Sequence, residues 1–161
     1  EQGGDLPAAM NALRLAKGLA PKNPDIATEY VRVRQLVAEK LLGDYVVQAR
    51  YEERRKKWGP AADSWAKVAD MKPEDAPSHR YVAMALLEGQ GDMRRAQKYA
   101  KRAVELDPEN PENRTILAKV FMEQGLKRNA QRELEEGLSL SPHDATIKEL
   151  LKQVKQGAPT Q

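Results

Sequence analysis

The chain has 161 residues, of which 40% are apolar and 32% charged, as in an ordinary soluble domain or a short repeat array. Only eight residues are aromatic, so the core must be built from Ala, Leu and Val, which favours packed helices over sheets. The net charge of +3 is spread over both halves of the chain, which argues against a dedicated nucleic-acid binder.

Cysteine is absent from the sequence, which excludes disulfides, thiolate chemistry and Cys-ligated zinc. No apolar run approaches the roughly 18 residues that a membrane-spanning helix requires. The chain begins at Glu1 without a methionine or a signal peptide. We therefore expect a piece of a longer protein. Separately, we expect that protein to be a bacterial, multidomain protein of the cytoplasm.

The first predicted helix ends at Pro21. It carries small and apolar residues at the same distances before Pro21 as those found before Pro108 and Pro142 later in the chain. These residues are Gly4, Ala9, Leu13, Ala16 and Leu19. No helix precedes it in the sequence to cover its other face, so we expect that face to be available for association.

The second predicted helix is unusually long. Pro21 and Pro73 are 52 residues apart, 18 more than the 34-residue spacing that recurs later, and 18 residues make about five helical turns. A longer helix therefore keeps its apolar face, carried by Ile26, Tyr30, Val33, Val37, Leu41, Tyr45 and Ala49. We predict one helix from Pro24 to Lys57, roughly 50 Å long, with a break at Gly43 as the alternative.

The far end of the long helix forms the stretch "YEERRKKWGPAADSW", residues 51 to 65. Its four cations, residues 54 to 57, suit a helix C-terminus, where the macrodipole favours positive charge. Gly59 and Pro60 are expected to begin the third helix, and both Trp58 and Trp65 are expected to pack into the stack. If the long helix outreaches its neighbours, Val31, Leu36 or Leu42 is left partly uncovered.

The second half of the chain repeats every 34 residues. The aligned pairs are Gly91 and Gly125, Ala96 and Ala130, Ala103 and Gly137, Leu106 and Leu140, and Pro108 and Pro142. Small residues at 96, 100 and 103 share one helix face and allow a neighbouring helix to approach closely. Asn110 with Pro111 predicts a helix start, and Asp144 caps a final helix.

This pattern resembles the tetratricopeptide repeat family, in which each repeat is a pair of helices, A and B. Residues 111–144 match it at Leu117, Ala118, Phe121, Gly125, Ala130, Leu134 and Pro142, whereas residues 77–110 have Ala83, Met84 and Leu87 at the three helix A positions. The resemblance implies an all-α solenoid of antiparallel helix pairs that forms a right-handed superhelix. Its expected parts are a partial repeat (1–22), an extended repeat (24–76), repeats 77–110 and 111–144, a capping helix (145–156) and a linker tail (157–161).

Chemical motifs are not found in the sequence. His79 and His143 lack metal-ligand spacing, the serines lack a nucleophile motif, and the adjacent glutamates at 52, 53, 135 and 136 are interpreted as solvated charge. "GQGD" at residues 89 to 92 lacks the other glycines of a phosphate-binding loop. We therefore predict no catalytic residue, no metal and no cofactor.

The resemblance also implies a concave groove lined by helix A residues. The expected groove residues are Val46, Arg50, Glu53, Ser78, Tyr81, Ala85, Glu88, Thr115, Lys119 and Met122, with Gly43 and Glu112 at the remaining positions and Thr146, Glu149 and Gln153 on the capping helix. Relatives that bind chaperone tails use Lys, Asn and Arg at positions occupied here by Val46, Arg50, Val82, Glu112 and Ile116. Since that clamp is missing, we predict no tight binding of Hsp70 or Hsp90 tails.

Three classes of function remain open. The first is a non-catalytic scaffold whose groove binds a peptide or helix of a partner protein. The second is self-assembly, with a homodimer formed through the long helix or the N-terminal helix. The third is nucleic-acid binding through residues 50–57, which we regard as the least favoured, so the expected partner is a protein.

Overall fold

A computed structural model of the chain describes residues 5–157, which are almost entirely helical and contain no strand. The helices are α1 (Leu6–Leu19), α2 (Pro24–Arg54), α3 (Trp58–Met71), α4 (Ala76–Glu88), α5 (Met93–Leu106), α6 (Pro111–Glu123), α7 (Lys127–Leu140) and α8 (Ala145–Gln156). The chain divides into two compact units, residues 1–44 and residues 45–161. No helix within residues 5–157 is both long and apolar enough to cross a bilayer.

The first unit contains α1 and the first part of α2. Asp5 caps α1 by accepting a hydrogen bond from the Ala8 amide at 3.1 Å. No residue of α1 is buried, and Leu19 is 89% exposed. Part of the predicted repeat 1–22, including Gly4, lies outside the described residues.

Helix α2 runs without a break through Gly43, which confirms the single long helix and excludes a hairpin at that residue. Its 31 residues span about 46 Å at 1.5 Å per residue. The predicted end at Lys57 was wrong, because α2 ends at Arg54. Lys56 adopts a left-handed backbone with φ 55°, and the amide of Lys57 donates back to the Glu52 carbonyl at 2.9 Å. This Schellman motif ends the helix before the cation run is complete.

In the second unit, helices α3 to α8 pack each against the next, and α4 also packs on α6. Small residues allow this close approach: Ala61, Ala96, Ala103 and Ala130 are fully buried at the contacts between helices. Trp65 is also buried, as the repeat register predicts, and Trp58 is half-buried. Trp58 is itself the first residue of α3, so the helix begins one residue before the predicted Gly59.

The turns from α2 to α3, α4 to α5 and α6 to α7 share one bonding pattern. In each, a left-handed residue follows the helix and the next amide donates back to a carbonyl in the last turn, as in Leu126 to Phe121 at 2.8 Å. The left-handed residues are Lys56, Gln90 and Gly125. Alignment by period pairs Gly91 with Gly125, but the residue that turns the chain after α4 is Gln90, since that turn is one residue longer.

Helix α8 covers the end of the stack. Asp144 caps it by accepting from the Ile147 amide at 3.0 Å, and Ile147, Leu151 and Val154 are buried. The helix ends at Gln156 and is followed by Gly157, a left-handed cap residue whose φ is 69°. The extended helix near the N-terminus and the capping helix at the C-terminus are thus confirmed. Of the predicted linker tail, residues 158–161 lie outside the described part of the chain.

Candidate functional site

Four side chains from three helices form a compact cluster that we name the aromatic anchor: Arg50, Glu53, Trp65 and Tyr81. The Trp65 and Tyr81 rings lie 4.5 Å apart between centroids, tilted by 31°. The Arg50 guanidinium carbon lies 4.3 Å from the Tyr81 ring centroid and 4.8 Å from that of Trp65. A cation stacked on two aromatic rings is held in place by their quadrupoles.

Glu53 ties the aromatic anchor together by two hydrogen bonds. It accepts one from Arg50 Nη1 at 3.0 Å and another from Trp65 Nε1 at 2.7 Å. Burial alone would lower the pKa of Arg50, but the Tyr81 and Glu53 side chains outweigh it and raise that pKa above its usual value. The Arg50 side chain is still 44% exposed, so a fixed cation faces solvent.

Glu52, the neighbour of Glu53, is not solvated charge, so the interpretation from the sequence was wrong for this residue. It is buried and accepts hydrogen bonds from Ser64 Oγ at 2.7 Å and Gln48 Nε2 at 2.7 Å. The carboxylate therefore links α2 to α3 from inside the stack. Ser64 is likewise a buried structural donor in this arrangement.

A second polar network joins the A-type helices α4 and α6. Arg80 is buried, and its Nη1 donates to Asn113 Oδ1 at 3.0 Å while its Nη2 pairs with Glu112 at 3.1 Å. Asn113 also donates to the carbonyl oxygens of Ala103 at 3.1 Å and Asp107 at 3.0 Å. This network fixes the position of α6 relative to α4 and thus the spacing of the groove residues on both helices.

The predicted groove residues differ in how much surface they offer. Ser78, Ala85 and Thr115 are buried. The Ser78 hydroxyl donates to the Asp75 carbonyl at 2.8 Å and that of Thr115 to the Pro111 carbonyl at 2.8 Å. These three residues therefore shape the surface and present little area to a partner.

The remaining groove residues are at least partly exposed: Val46, Arg50, Glu53, Tyr81, Glu88, Lys119 and Met122. Contacts of Arg50 with Glu53 and with Tyr81 bring these three residues together. Lys119 and Met122 stand one period after Ala85 and Glu88, on the next A-type helix. Among the capping-helix residues, Thr146 and Glu149 are exposed and Gln153 is half-buried.

Sequence reasoning missed three residues that build this site. Trp65 was predicted as packing, but its ring and indole N–H also hold Arg50 and Glu53 in place. Arg80 and Asn113 were not singled out, although they join the two helices that carry Tyr81 and Lys119. The only sequence signal for them is an arginine and an asparagine within apolar helix patterns. Within residues 5–157 no group of three His, Asp or Glu side chains is arranged to hold a metal ion.

Comparison with known proteins places this fold. A family model described as tetratricopeptide repeat matches residues 87–154. The Arabidopsis OM64 tetratricopeptide domain superposes with a TM-score of 0.68 at 17% identity, covering 74% of this chain and 98% of that one. The second such domain of human RPAP3, solved with the HSP70 peptide SGPTIEEVD, gives 0.68 at 18% identity and covers 73% and 98%.

The TPR2B domain of yeast Sti1, in a complex with an Hsp70 peptide, gives a TM-score of 0.67 at 16% identity, covering 73% of this chain and 98% of that one. No curated protein matches the sequence significantly. The match at residues 87–154 and the shared fold confirm the predicted resemblance. Residues 87–154 match the tetratricopeptide repeat model, and the chain adopts the all-α solenoid fold of the tetratricopeptide domains to which it is similar.

Proposed function

We propose that this chain is a non-catalytic protein-interaction scaffold whose groove binds a peptide or helix of a partner protein. The aromatic anchor is the observation that carries the proposal, because it presents a cation that is already fixed before a ligand arrives. Binding a ligand to a free arginine side chain costs conformational entropy. A guanidinium that is already stacked has lost much of that freedom before the ligand binds, so less binding free energy is lost. Arg and Tyr are also the residues that most often dominate binding energies at interfaces.

The chemistry of the groove indicates the kind of ligand. Arg50 and Lys119 offer two positive charges, and Tyr81 and Met122 offer apolar surface, of which the Met thioether adapts readily to different shapes. A segment with apolar residues and at least one acidic residue fits this combination. Solved domains with the same fold, from human RPAP3 and yeast Sti1, hold HSP70 peptides, which supports a peptide ligand here.

The ligand is nevertheless expected to differ from a chaperone tail. Of the positions that would form the carboxylate clamp, only Arg50 carries a cation, Glu112 is acidic, and Val82 and Ile116 are buried and apolar. The terminal carboxylate of such a peptide would be attracted by Arg50 and repelled by Glu112. We expect the peptide SGPTIEEVD to bind the chain at least about tenfold more weakly than it binds the RPAP3 domain, a difference of about 1.4 kcal/mol. Calorimetric titration of both proteins measures it, and equal affinities would contradict the missing clamp.

A peptide library displayed on phage tests the proposed function directly. Peptides selected on the chain are titrated against variants Arg50→Ala, Tyr81→Ala and Lys119→Ala, and against Lys101→Ala, whose exposed side chain lies on the B-type helix α5. We expect loss of about tenfold or more in each groove variant and no change in the control. Equal binding by all variants would remove the groove as the binding face. Circular dichroism verifies that each variant is folded.

Self-assembly is the second candidate, and one observation favours it. Helix α1 has no buried residue, and within the first unit Leu19 is 89% and Val31 61% exposed. Apolar surface of this kind commonly marks an association site. If it forms a homodimer, light scattering shows a dimer that Leu19→Ser weakens. Three expectations stay predictions: that the chain does not bind nucleic acid, that it belongs to a bacterial multidomain protein, and that this protein resides in the cytoplasm.

A further inference from the structure

Antiparallel stacking in the second unit sends alternate connections to opposite edges. One edge, which we name the turn edge, contains the connections α2–α3, α4–α5 and α6–α7, residues 54–60, 88–95 and 123–129. The opposite edge, which we name the loop edge, contains the connections α3–α4, α5–α6 and α7–α8, residues 71–78, 106–113 and 140–147. Each range runs from the last residue of one helix to the third residue of the next. Contacts join the turns into one edge: Gln124 Nε2 donates to the Met93 carbonyl at 3.2 Å, and a Cβ at Gly89 would lie 2.6 Å from Trp58 Cβ.

The two edges carry opposite charge. The turn edge has eight cations and three anions, which leaves +5, and the loop edge has one cation and six anions, which leaves −5. The charged residues of the turn edge are Arg54, Arg55, Lys56, Lys57, Arg94, Arg95, Lys127 and Arg128, with Glu88, Asp92 and Glu123. Those of the loop edge are Lys72, with Glu74, Asp75, Asp107, Glu109, Glu112 and Asp144.

Helix stability explains only half of the cations of the turn edge, those at residues 54–57, which follow the end of α2. The other four, Arg94, Arg95, Lys127 and Arg128, stand in the first turns of α5 and α7, where the macrodipole disfavours positive charge. Among the described residues, 5–157, only Arg95 of the eight pairs with a carboxylate, that of Asp63 at 2.9 Å. The other seven offer unpaired charge to a partner.

We propose that a second copy of this chain docks its loop edge on the turn edge, with residues 54–57 of one copy facing Asp107 and Glu109 of the other. Successive connections are spaced by one helix pair on both edges. The charged groups of the two edges can therefore align when two copies meet. Each edge also has an exposed leucine, Leu126 on the turn edge and Leu140 on the loop edge.

A continuous polyanion fits the turn edge less well. Glu88, Asp92 and Glu123 interrupt the cations, so a nucleic-acid backbone would meet repulsion at the second and third turns. Bases of a single strand also need exposed aromatic faces, whereas Trp58 is half-buried against the next turn. The two edges differ in surface, so the contact is heterologous and can extend to further copies. It uses neither the aromatic anchor nor α1.

Light scattering across protein concentration, at about 20 mM and about 500 mM NaCl, tests the proposal because salt screens exposed charge. We expect the mean mass of the chain to rise with concentration at low salt and to return to that of one copy at high salt. The double variant K56E/K57E and the single variant Glu109→Lys should each weaken association at least about tenfold. Mixing the two variants should restore it, since each retains one intact edge.

The matched control is K98E/K101E, which makes the same change in net charge on exposed residues of α5 away from both edges. It should associate as the unaltered chain does. A chain that stays a single copy at low salt, or a control that loses association equally, overturns the proposal. Association that persists at high salt and is lost in Leu19→Ser assigns self-contact to α1 instead. Salt-sensitive retention of single-stranded DNA without self-association assigns the turn edge to nucleic acid.

Discussion

Replacing Asn113 by Ala should destabilise the second unit strongly. Asn113 is fully buried and makes three hydrogen bonds, one from Arg80 at 3.0 Å and two to the carbonyl oxygens of Ala103 and Asp107. These bonds connect α4, α6 and the end of α5. Ala supplies none of them, so the two carbonyl oxygens and the Arg80 guanidinium each lose a buried partner.

The magnitude follows from the kinds of bond that are lost. Two bonds between neutral groups contribute about 1 kcal/mol each, and one from a charged guanidinium contributes about 1.5 to 3 kcal/mol. Asn113→Ala should therefore lower the free energy of unfolding by about 3.5 to 5 kcal/mol. Since small domains are stable by only about 5 to 15 kcal/mol, this loss is readily measured.

Urea unfolding followed by circular dichroism measures the loss, and hydrogen exchange of the α4 to α6 amides locates it, because repeats can open separately. The control is Asn110→Ala, which removes the N-cap bond that the Glu112 amide donates to Asn110 Oδ1 at 3.0 Å, and a bond from Asn110 Nδ2 to Asp107 at 3.2 Å. It should cost about 1 kcal/mol. If Asn113→Ala costs no more than the control, the network does not hold α4 and α6 together. A double-mutant cycle with Arg80→Met isolates the share of that one bond.

Three glycine substitutions test the backbone of the stack by thermal unfolding. Gly43→Ala should stabilise α2 by about 0.5 to 1 kcal/mol, since an added Cβ meets nothing within 4 Å, and destabilisation would argue against a continuous helix. Gly89→Ala should destabilise by about 1 to 3 kcal/mol because its Cβ would lie 2.6 Å from Trp58 Cβ; an unchanged midpoint would contradict this contact. Gln90→Gly should stabilise by about 1 kcal/mol by relieving a left-handed φ of 49°, and any loss would refute that assignment.

The fold could be predicted because its signals are periodic. A spacing of 34 residues fixed the helix pairs of the second half, and an unbroken apolar phase through Gly43 indicated the long helix. The ends of the helices were harder to predict from the sequence. Lys56 and Gln90 adopt a left-handed backbone that sequence patterns assign to glycine, so the end of α2 and the turn after α4 were misplaced.

The site could be predicted only where it follows the repeat register. Arg50 and Tyr81 were placed on one face by counting, and they are in contact. The Arg80 to Asn113 bond joins residues 33 positions apart and depends on burial that no local pattern shows. The charge difference between the edges was likewise hidden, because successive connections alternate between edges and a count along the chain averages them.

Mapping a selected peptide onto the chain by nuclear magnetic resonance tests the central claim, that the A-type helices form the binding face. Amide shifts are recorded for the ¹⁵N-labelled chain as a phage-selected peptide is added. We expect the largest changes around Arg50, Tyr81, Lys119 and Met122. Changes concentrated on the B-type helices α5 and α7, with these residues unaffected, would contradict it.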